Sequence, residues 1–411
     1  MELDGRDDRK TSFRNGAYDQ PAFERISSQE IRISGIDLAR QILRGNGLRQ
    51  AGFMAELANR FTRSSRAPVL FQEGEAHRKQ RSATARFFAP RVVAMRYRQL
   101  MAEQSARIMR DFRATGRADL DSMGMELSVA VTAEIVGLND SSLPGLASRL
   151  SSFLADQQQQ RVGKLAASLR MVVALGRILR FFFCDVMPAV RSHRIQRRED
   201  IISLLIEQGY STREILTECI TYGVAGVATT RELIVLAAWH LFDRPELRKR
   251  FLDSDEAGRI VVLEEVLRLE PVVGTLYRRA ERDIILNDNG RPEDVSAGTL
   301  LAIDIRAVNA DPAAGVCPHR LDPDRQIQDH RLPGSLMSFG DGAHRCPGAA
   351  IALQESAIFL DQLFRVPGIR LARAPTVSSN SVAESYELRG AVVTCATGGA
   401  VAVRQEPANP A

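Results

Sequence analysis

One capped apolar run, Ser211 to Asp243, restricts the architecture of this 411-residue chain more than any other stretch. Ser211-Thr-Arg-Glu214 is a capping box, in which Ser and Glu satisfy each other's free backbone donors at a helix start. Ile215, Ile220, Val224, Leu233 and Leu236 carry the pattern on to Asp243-Arg-Pro245, where proline forces a stop. At 1.5 Å per residue the helix spans roughly 45–50 Å, enough to cross a whole domain. It is apolar for much of its circumference, so it belongs in the interior. Further helices are predicted over Glu256 to Glu270, ending at Pro271, and from Pro347 to Phe364. Asp156 to Arg161 is a polar break between two helical segments. Thr275 to Arg278, Ile284 to Leu286 and Leu300 to Ile303 are short apolar runs separated by turn residues, which predicts strands. Leu388 to Val393 and Ala400 to Arg404 predict a small sheet near the end. The fold class is therefore mainly α with small β-sheets. Asn309 to Gly342 is irregular and too long for a casual connector, which marks it as functional.

Composition excludes several classes. The net charge is +5 and almost all the positive charge is arginine, since lysine occurs only at 10, 79, 164 and 249. No basic run is interleaved with aromatics, so a nucleic-acid surface is not expected. The five cysteines are an odd number with no C-x-x-C pair, which fits neither a disulfide framework nor a structural zinc site. The polar N-terminus carries no apolar core for a signal peptide. Met171 to Val190, the most lipid-like stretch, is interrupted by Arg177 and Arg180 and is read as a core-packing helix. A soluble, cytoplasmic protein is the expectation.

The chemistry concentrates in Ser338-Phe-Gly-Asp-Gly-Ala-His-Arg-Cys346-Pro-Gly-Ala349. Gly340 and Gly342 permit a tight loop that approaches another group closely. Cys346 falls just before a predicted helix, with Pro347 in its first turn. Free backbone donors there favour a thiolate, which suits a metal ligand. A lone cysteine in a turn is ordinarily only a buried side chain. Here the six fixed positions of F-G-x-G-x-H-x-C-x-G are all matched.

With that loop the sequence resembles the cytochromes P450, and further motifs of the family follow in order along nearly the whole chain. Glu265-Val-Leu-Arg268 matches E-x-x-R, whose two charges share a helix face, and Arg320 matches the arginine that completes the charge cluster. His77-Arg-Lys-Gln-Arg81 matches the H-x-x-x-R pattern that binds one haem propionate; Arg278 and His344 match contacts to the propionates. Ala225-Gly-Val-Ala-Thr-Thr230 resembles A-G-x-[D/E]-T-T, in which Gly226 lets the helix bulge and Thr229 bonds the oxygen or its water. Ala228 departs from the pattern, because an acid that helps relay protons normally stands there. Leu388-Arg-Gly390 and Asn309-Ala-Asp-Pro312 match minor family elements. His193, His240, His319 and His330 fit no ligand spacing.

The resemblance implies a single haem domain over residues 1–411, α-rich around a buried haem b with a minor β-rich region. It implies Cys346 as axial ligand of the iron and Thr229 as the catalytic partner. Contacts to the haem would come from His77, Arg81, Arg278, Phe339, His344, Cys346 and Gly348. The reaction would be monooxygenation of an apolar or amphipathic small molecule, lined by residues 49–71, 224–230, 272–277 and 391–397. A thiolate ligand favours O–O cleavage, which separates this chemistry from globins. Two alternatives stand beside it: a peroxide-using or ring-coupling enzyme, suggested by Ala228, and a non-enzymatic haem module. Without a flavin or nucleotide region, electrons would come from a separate ferredoxin or flavodoxin with its reductase, docking on Arg78, Lys79, Arg86 and Arg345.

Overall fold

The computed structural model describes residues 7–11, 21–52, 66–155 and 164–396, less 289, 313, 314, 316, 328, 330 and 382. Ala400 to Arg404, His330 and the polar break at 156–161 lie outside the described residues. In chain order the first elements are β1 (Phe23–Ser27), β2 (Glu30–Ile33), α1 (Ile36–Arg44), β3 (Leu48–Ala51), α2 (Gly74–Phe88), α3 (Arg98–Thr115), β4 (Arg117–Asp119) and α4 (Leu120–Val136). Then come α5 (Leu143–Ala155), α6 (Lys164–Phe181), α7 (Met187–Ile195), α8 (Ile201–Glu207), α9 (Thr212–Asp243), α10 (Pro245–Asp253) and α11 (Glu256–Leu269). The C-terminal part carries β5 (Thr275–Ala280), β6 (Ile284–Asp288), β7 (Arg291–Val295), β8 (Leu300–Asp304), α12 (Ile305–Asn309) and α13 (Ala349–Phe364). It ends in β9 (Arg370–Arg373), β10 (Thr376–Asn380), β11 (Ser385–Arg389) and β12 (Val392–Thr394).

The long helix forms as its sequence dictates. Ser211 accepts from the Glu214 amide, Glu214 returns the bond to the Ser211 backbone, and α9 closes at Asp243 ahead of Pro245. It packs most extensively against α4, with Val227, Ile234, Val235 and Leu236 fully buried. By length and composition α9 passes as a membrane span, but 56% of its most apolar window is buried inside this fold. α3, α11 and α13 complete the helical core around it. A second, smaller core lies under the sheet β1-β2-β8-β5-β3, where β2 and β8 are parallel and the other pairs antiparallel. The three predicted internal strands are β5, β6 and β8, each slightly longer than the apolar run that announced it.

Three expectations need correction. Gly226 introduces no bulge: α9 is continuous, and a Cβ there would lie 3.1 Å from Thr132 Oγ1, so the glycine serves packing on α4. The helix after Cys346 begins at Ala349 with Gly348 as its N-cap, so Pro347 stands in the turn and not in the helix. Met171 to Val190 is not uniformly a core-packing segment. Phe181, Val186, Ala189 and Val190 are buried, but Val172, Leu175, Leu179 and Phe183 face outward. A helix on the rim of a helical layer buries only one side, and an apolar sequence does not say whether the other side is covered.

Candidate active site

The cysteine loop is fastened from behind before it can present a thiol. Asn309, at the end of α12, accepts from the Met337 amide at 2.9 Å and donates to Ser338 Oγ at 2.8 Å and to the Arg268 carbonyl at 3.1 Å. Ser338 Oγ in turn donates to the Leu267 carbonyl on α11. On the other side Asp341 pairs with Arg44 of α1 at 2.8 Å and caps Gly342. Gly342 has φ +67°, and a Cβ there would lie 2.2 Å from the Leu43 carbonyl, so no other residue fits the approach of the loop to α1.

Cys346 donates its amide to the Phe339 carbonyl at 2.8 Å, which folds the loop back on itself. The residue has accessible surface, yet protein crowds it closely enough that burial pushes its thiol above the ordinary range. The thiol is therefore crowded by protein yet keeps surface free for a ligand. The amides of Gly348 and Ala349 and the charges of Arg81 and Arg345 act the other way and favour the thiolate, without outweighing burial. The helix start therefore does not by itself hold Cys346 as an anion, contrary to expectation. A coordinated metal does so outright.

Around the loop, basic side chains gather from α2, from β5 and from the loop itself. The imidazoles of His77 (α2) and His344 stack at 4.0 Å between centroids and 18°. His344 Nε2 lies 3.2 Å from Glu73 Oε2. Burial, then His344 and Arg81, lower the His77 pKa to about 4, so its ring is neutral at pH 7. Burial likewise lowers the Arg278 pKa to about 10, which leaves it charged. Arg278 is 4% exposed and donates to Gln50 Oε1 and the Tyr277 carbonyl. Arg81 donates to the Arg345 carbonyl. Two guanidiniums with five N–H donors each, set among two imidazoles and the single acid Glu73, have donors to spare for further carboxylates. That excess, beside an accessible enclosed thiol, fits haem with its two propionates.

Ala225 is exposed in the middle of a buried helix, and Thr229 one turn on is partly accessible. Thr229 Oγ1 donates to the Ala225 carbonyl at 2.7 Å. Sequence reasoning passed over a buried acid nearby. Glu355 of α13 is 2% exposed, accepts from Ser128 Oγ at 3.2 Å and leaves Oε2 without a partner. Burial raises its pKa to about 8, opposed by the hydroxyls of Ser128 and Thr230. Its only sequence signal is a glutamate in the apolar run after the cysteine.

The charge cluster forms with one change of member. Arg268 Nε meets Glu265 Oε2 at 2.6 Å and Nη2 meets Oε1 at 2.9 Å, both residues being buried. The third charge is Arg325, 3.2 Å from Glu265, and not Arg320. Arg320 is exposed and supplies only its backbone carbonyl, which accepts from Arg268 at 3.1 Å. The turn Pro318–Arg325 presents a carbonyl at 320 and brings the later arginine back to the carboxylate, a reversal that sequence spacing does not reveal.

A helical fold, a fastened cysteine loop and a propionate-ready basic cradle define a haem-thiolate oxidoreductase. The sequence profile of the Cytochrome P450 family matches residues 261–366. Similar proteins include the mycinamicin IV hydroxylase/epoxidase of Micromonospora griseorubida, 29% identical over 72% of this chain and 71% of that one. The C-19 steroid 1alpha-hydroxylase of Sorangium cellulosum is 26% identical over 72% and 73%. Among solved structures, CalO2 superposes with a TM-score of 0.75 at 20% identity over 92% of this chain and 94% of its own. P450BioI, solved with a fatty-acid-ligated acyl carrier protein, gives 0.73 at 22% identity over 89% and 92%. The profile match, the relatives and the shared fold together support a member of the cytochrome P450 family. It is a monooxygenase whose cofactor is haem iron with a cysteine thiolate ligand, which sets aside the non-enzymatic reading.

Proposed function

We propose that this enzyme inserts one oxygen atom from dioxygen into a bulky apolar or amphipathic molecule lying between α9 and the β5 region. The accessible, enclosed Cys346 thiol facing outward from a rigid loop carries this reading. Haem bound there supplies the oxygen activation, and a thiolate ligand favours O–O cleavage. Cys346 would ligate the iron. His77, Arg81, Arg278 and His344 would hold the propionates, and Phe339 and Gly348 would bound the thiolate side. Thr229 would order a proton-donating hydroxyl, held by the Ala225 carbonyl. The acid missing at Ala228 has a candidate replacement in Glu355, protonated at neutral pH and adjacent to Thr230.

The named relatives act on mycinamicin IV and on a C-19 steroid, and an apolar pocket oriented by a few polar groups suits an apolar scaffold such as a steroid. Electrons would come from a ferredoxin or flavodoxin. Screening such scaffolds for spin-state shifts, followed by turnover under isotope-labelled dioxygen, tests the reading; a product that gains no labelled oxygen contradicts it. Ala228 keeps a second reading alive, a peroxide-using enzyme. Peroxide-supported turnover faster than the reductase-supported reaction would favour it.

A further inference from the structure

We infer that the outward face of α6 and the turn after it is an attachment surface for anionic lipid, laid on a bilayer without crossing it. Val172, Leu175, Leu179 and Phe183 are 66%, 54%, 45% and 55% exposed. Their spacing of three, four and four residues places them on one stripe. Phe183 lies in the π-helical turn Phe182–Val186 that prolongs α6. Gly176 falls within the stripe, and among the described residues nothing lies within 4 Å of a Cβ built there. The other side of the same segment is anchored in the core by Phe181 and Val186, both fully buried. The bare face is therefore fixed in place and not a frayed end.

The charge of the segment points the same way. From Gln157 through Cys184 the chain carries Arg161, Lys164, Arg170, Arg177 and Arg180 and no acidic residue. Those five charges equal the formal net charge of the whole protein, +5. An apolar stripe on a helix that also carries Arg177 and Arg180, in a stretch of sequence without acid, supplies the two signals that peripheral membrane attachment needs. A second copy is a poor occupant, because two-fold pairing of the stripe would set this acid-free basic segment against itself. A protein partner would need a groove shaped to a convex ridge, whereas lipid conforms to any ridge.

The test uses the full, haem-loaded protein in vesicle flotation. One set of vesicles contains equal parts phosphatidylglycerol and phosphatidylcholine, the other phosphatidylcholine alone. We expect flotation with the anionic vesicles at low salt, much less with the neutral ones, and release as salt rises. Leu175→Ser with Leu179→Ser should cut the bound fraction about tenfold or more, and Arg180→Glu should lower it and weaken the salt response. All three side chains are exposed, so haem absorbance and melting temperature should stay unchanged and separate loss of binding from loss of fold. Absence of flotation at low salt would overturn the inference. So would equal flotation of the double-serine variant, or light scattering that shows a wild-type dimer dissolved by it.

Discussion

Cys346 has more demands on it than any other side chain here, because in the proposed site it is the one protein ligand of the iron. Among the described residues, no group of three or more His, Cys, Asp or Glu is placed to hold a metal ion. Cys346→Ala should therefore remove the thiolate-type spectrum of the reduced, CO-bound protein; persistence of that band would exclude Cys346 as ligand. A pH effect is expected at the two buried acids. Glu218 and Glu355 both have pKa values raised to about 8 by burial. Each binds a proton in the folded state that it loses in the unfolded chain above its ordinary pKa near 4.5. Stability from these groups is thus complete below that value and falls as pH rises towards 8, at most about 1.4 kcal/mol per pH unit for each. Glu355→Gln should flatten this alkaline loss, read as the difference in Tm between pH 6 and pH 9. The same variant should slow turnover and lower coupling, while unchanged coupling would remove Glu355 from the proton path.

At the level of elements, α11 and the turn at 318–325 are joined by one buried carboxylate. Glu265 receives Arg268, Arg325 and the Asp322 amide, the last at 2.9 Å. Removing one partner leaves charge uncompensated in the interior, which costs about 3–5 kcal/mol. Arg325→Ala should therefore yield little haem-loaded protein. Arg320→Ala should leave haem loading nearly unchanged, since only its backbone carbonyl serves this cluster. Haem content per purified chain and thermal melting of both variants decide the matter, and the opposite order would restore Arg320 to the cluster. The same helix reaches the cysteine loop through Ser338 and Asn309, so damage at Glu265 should be felt at Cys346 as well.

Across the whole molecule, Arg78, Lys79, Arg86 and Arg345 are exposed on the side where α2 meets the cysteine loop. Glu264 feels the charge of Arg345, while no salt bridge to an acidic side chain holds Arg78, Lys79 or Arg86 among the described residues, so most of this charge is available to a partner. Encounters of this kind are steered by charge and screened by salt. Turnover supported by an acidic ferredoxin should fall as ionic strength rises, and Arg78→Glu or Arg345→Glu should slow it several-fold at low salt with haem content intact. Indifference to both salt and charge reversal would place the docking face elsewhere. The α6 surface makes a separate claim on the opposite kind of contact, and its variants should leave ferredoxin-supported turnover of a water-soluble substrate unchanged.

The sequence by itself determined the family resemblance, the long helix with its cap and stop, the short strands, and the order of the cysteine, E-x-x-R and H-x-x-x-R motifs. Those features depend on neighbours a few residues apart: a serine and glutamate sharing donors, a proline lacking one, glycines in a loop. Tertiary structure alone decided which arginine reaches Glu265, since that turns on how a loop reverses. It decided that Glu355 lies against Ser128, 227 residues away. It also decided that Thr11 and Lys10 close over the buried pair of Glu270 and His240. Apolar residues at helical spacing foretold the helix α6, but not whether its second face is buried. Periodicity records where side chains point along one helix, whereas burial depends on what the rest of the chain brings to lie there.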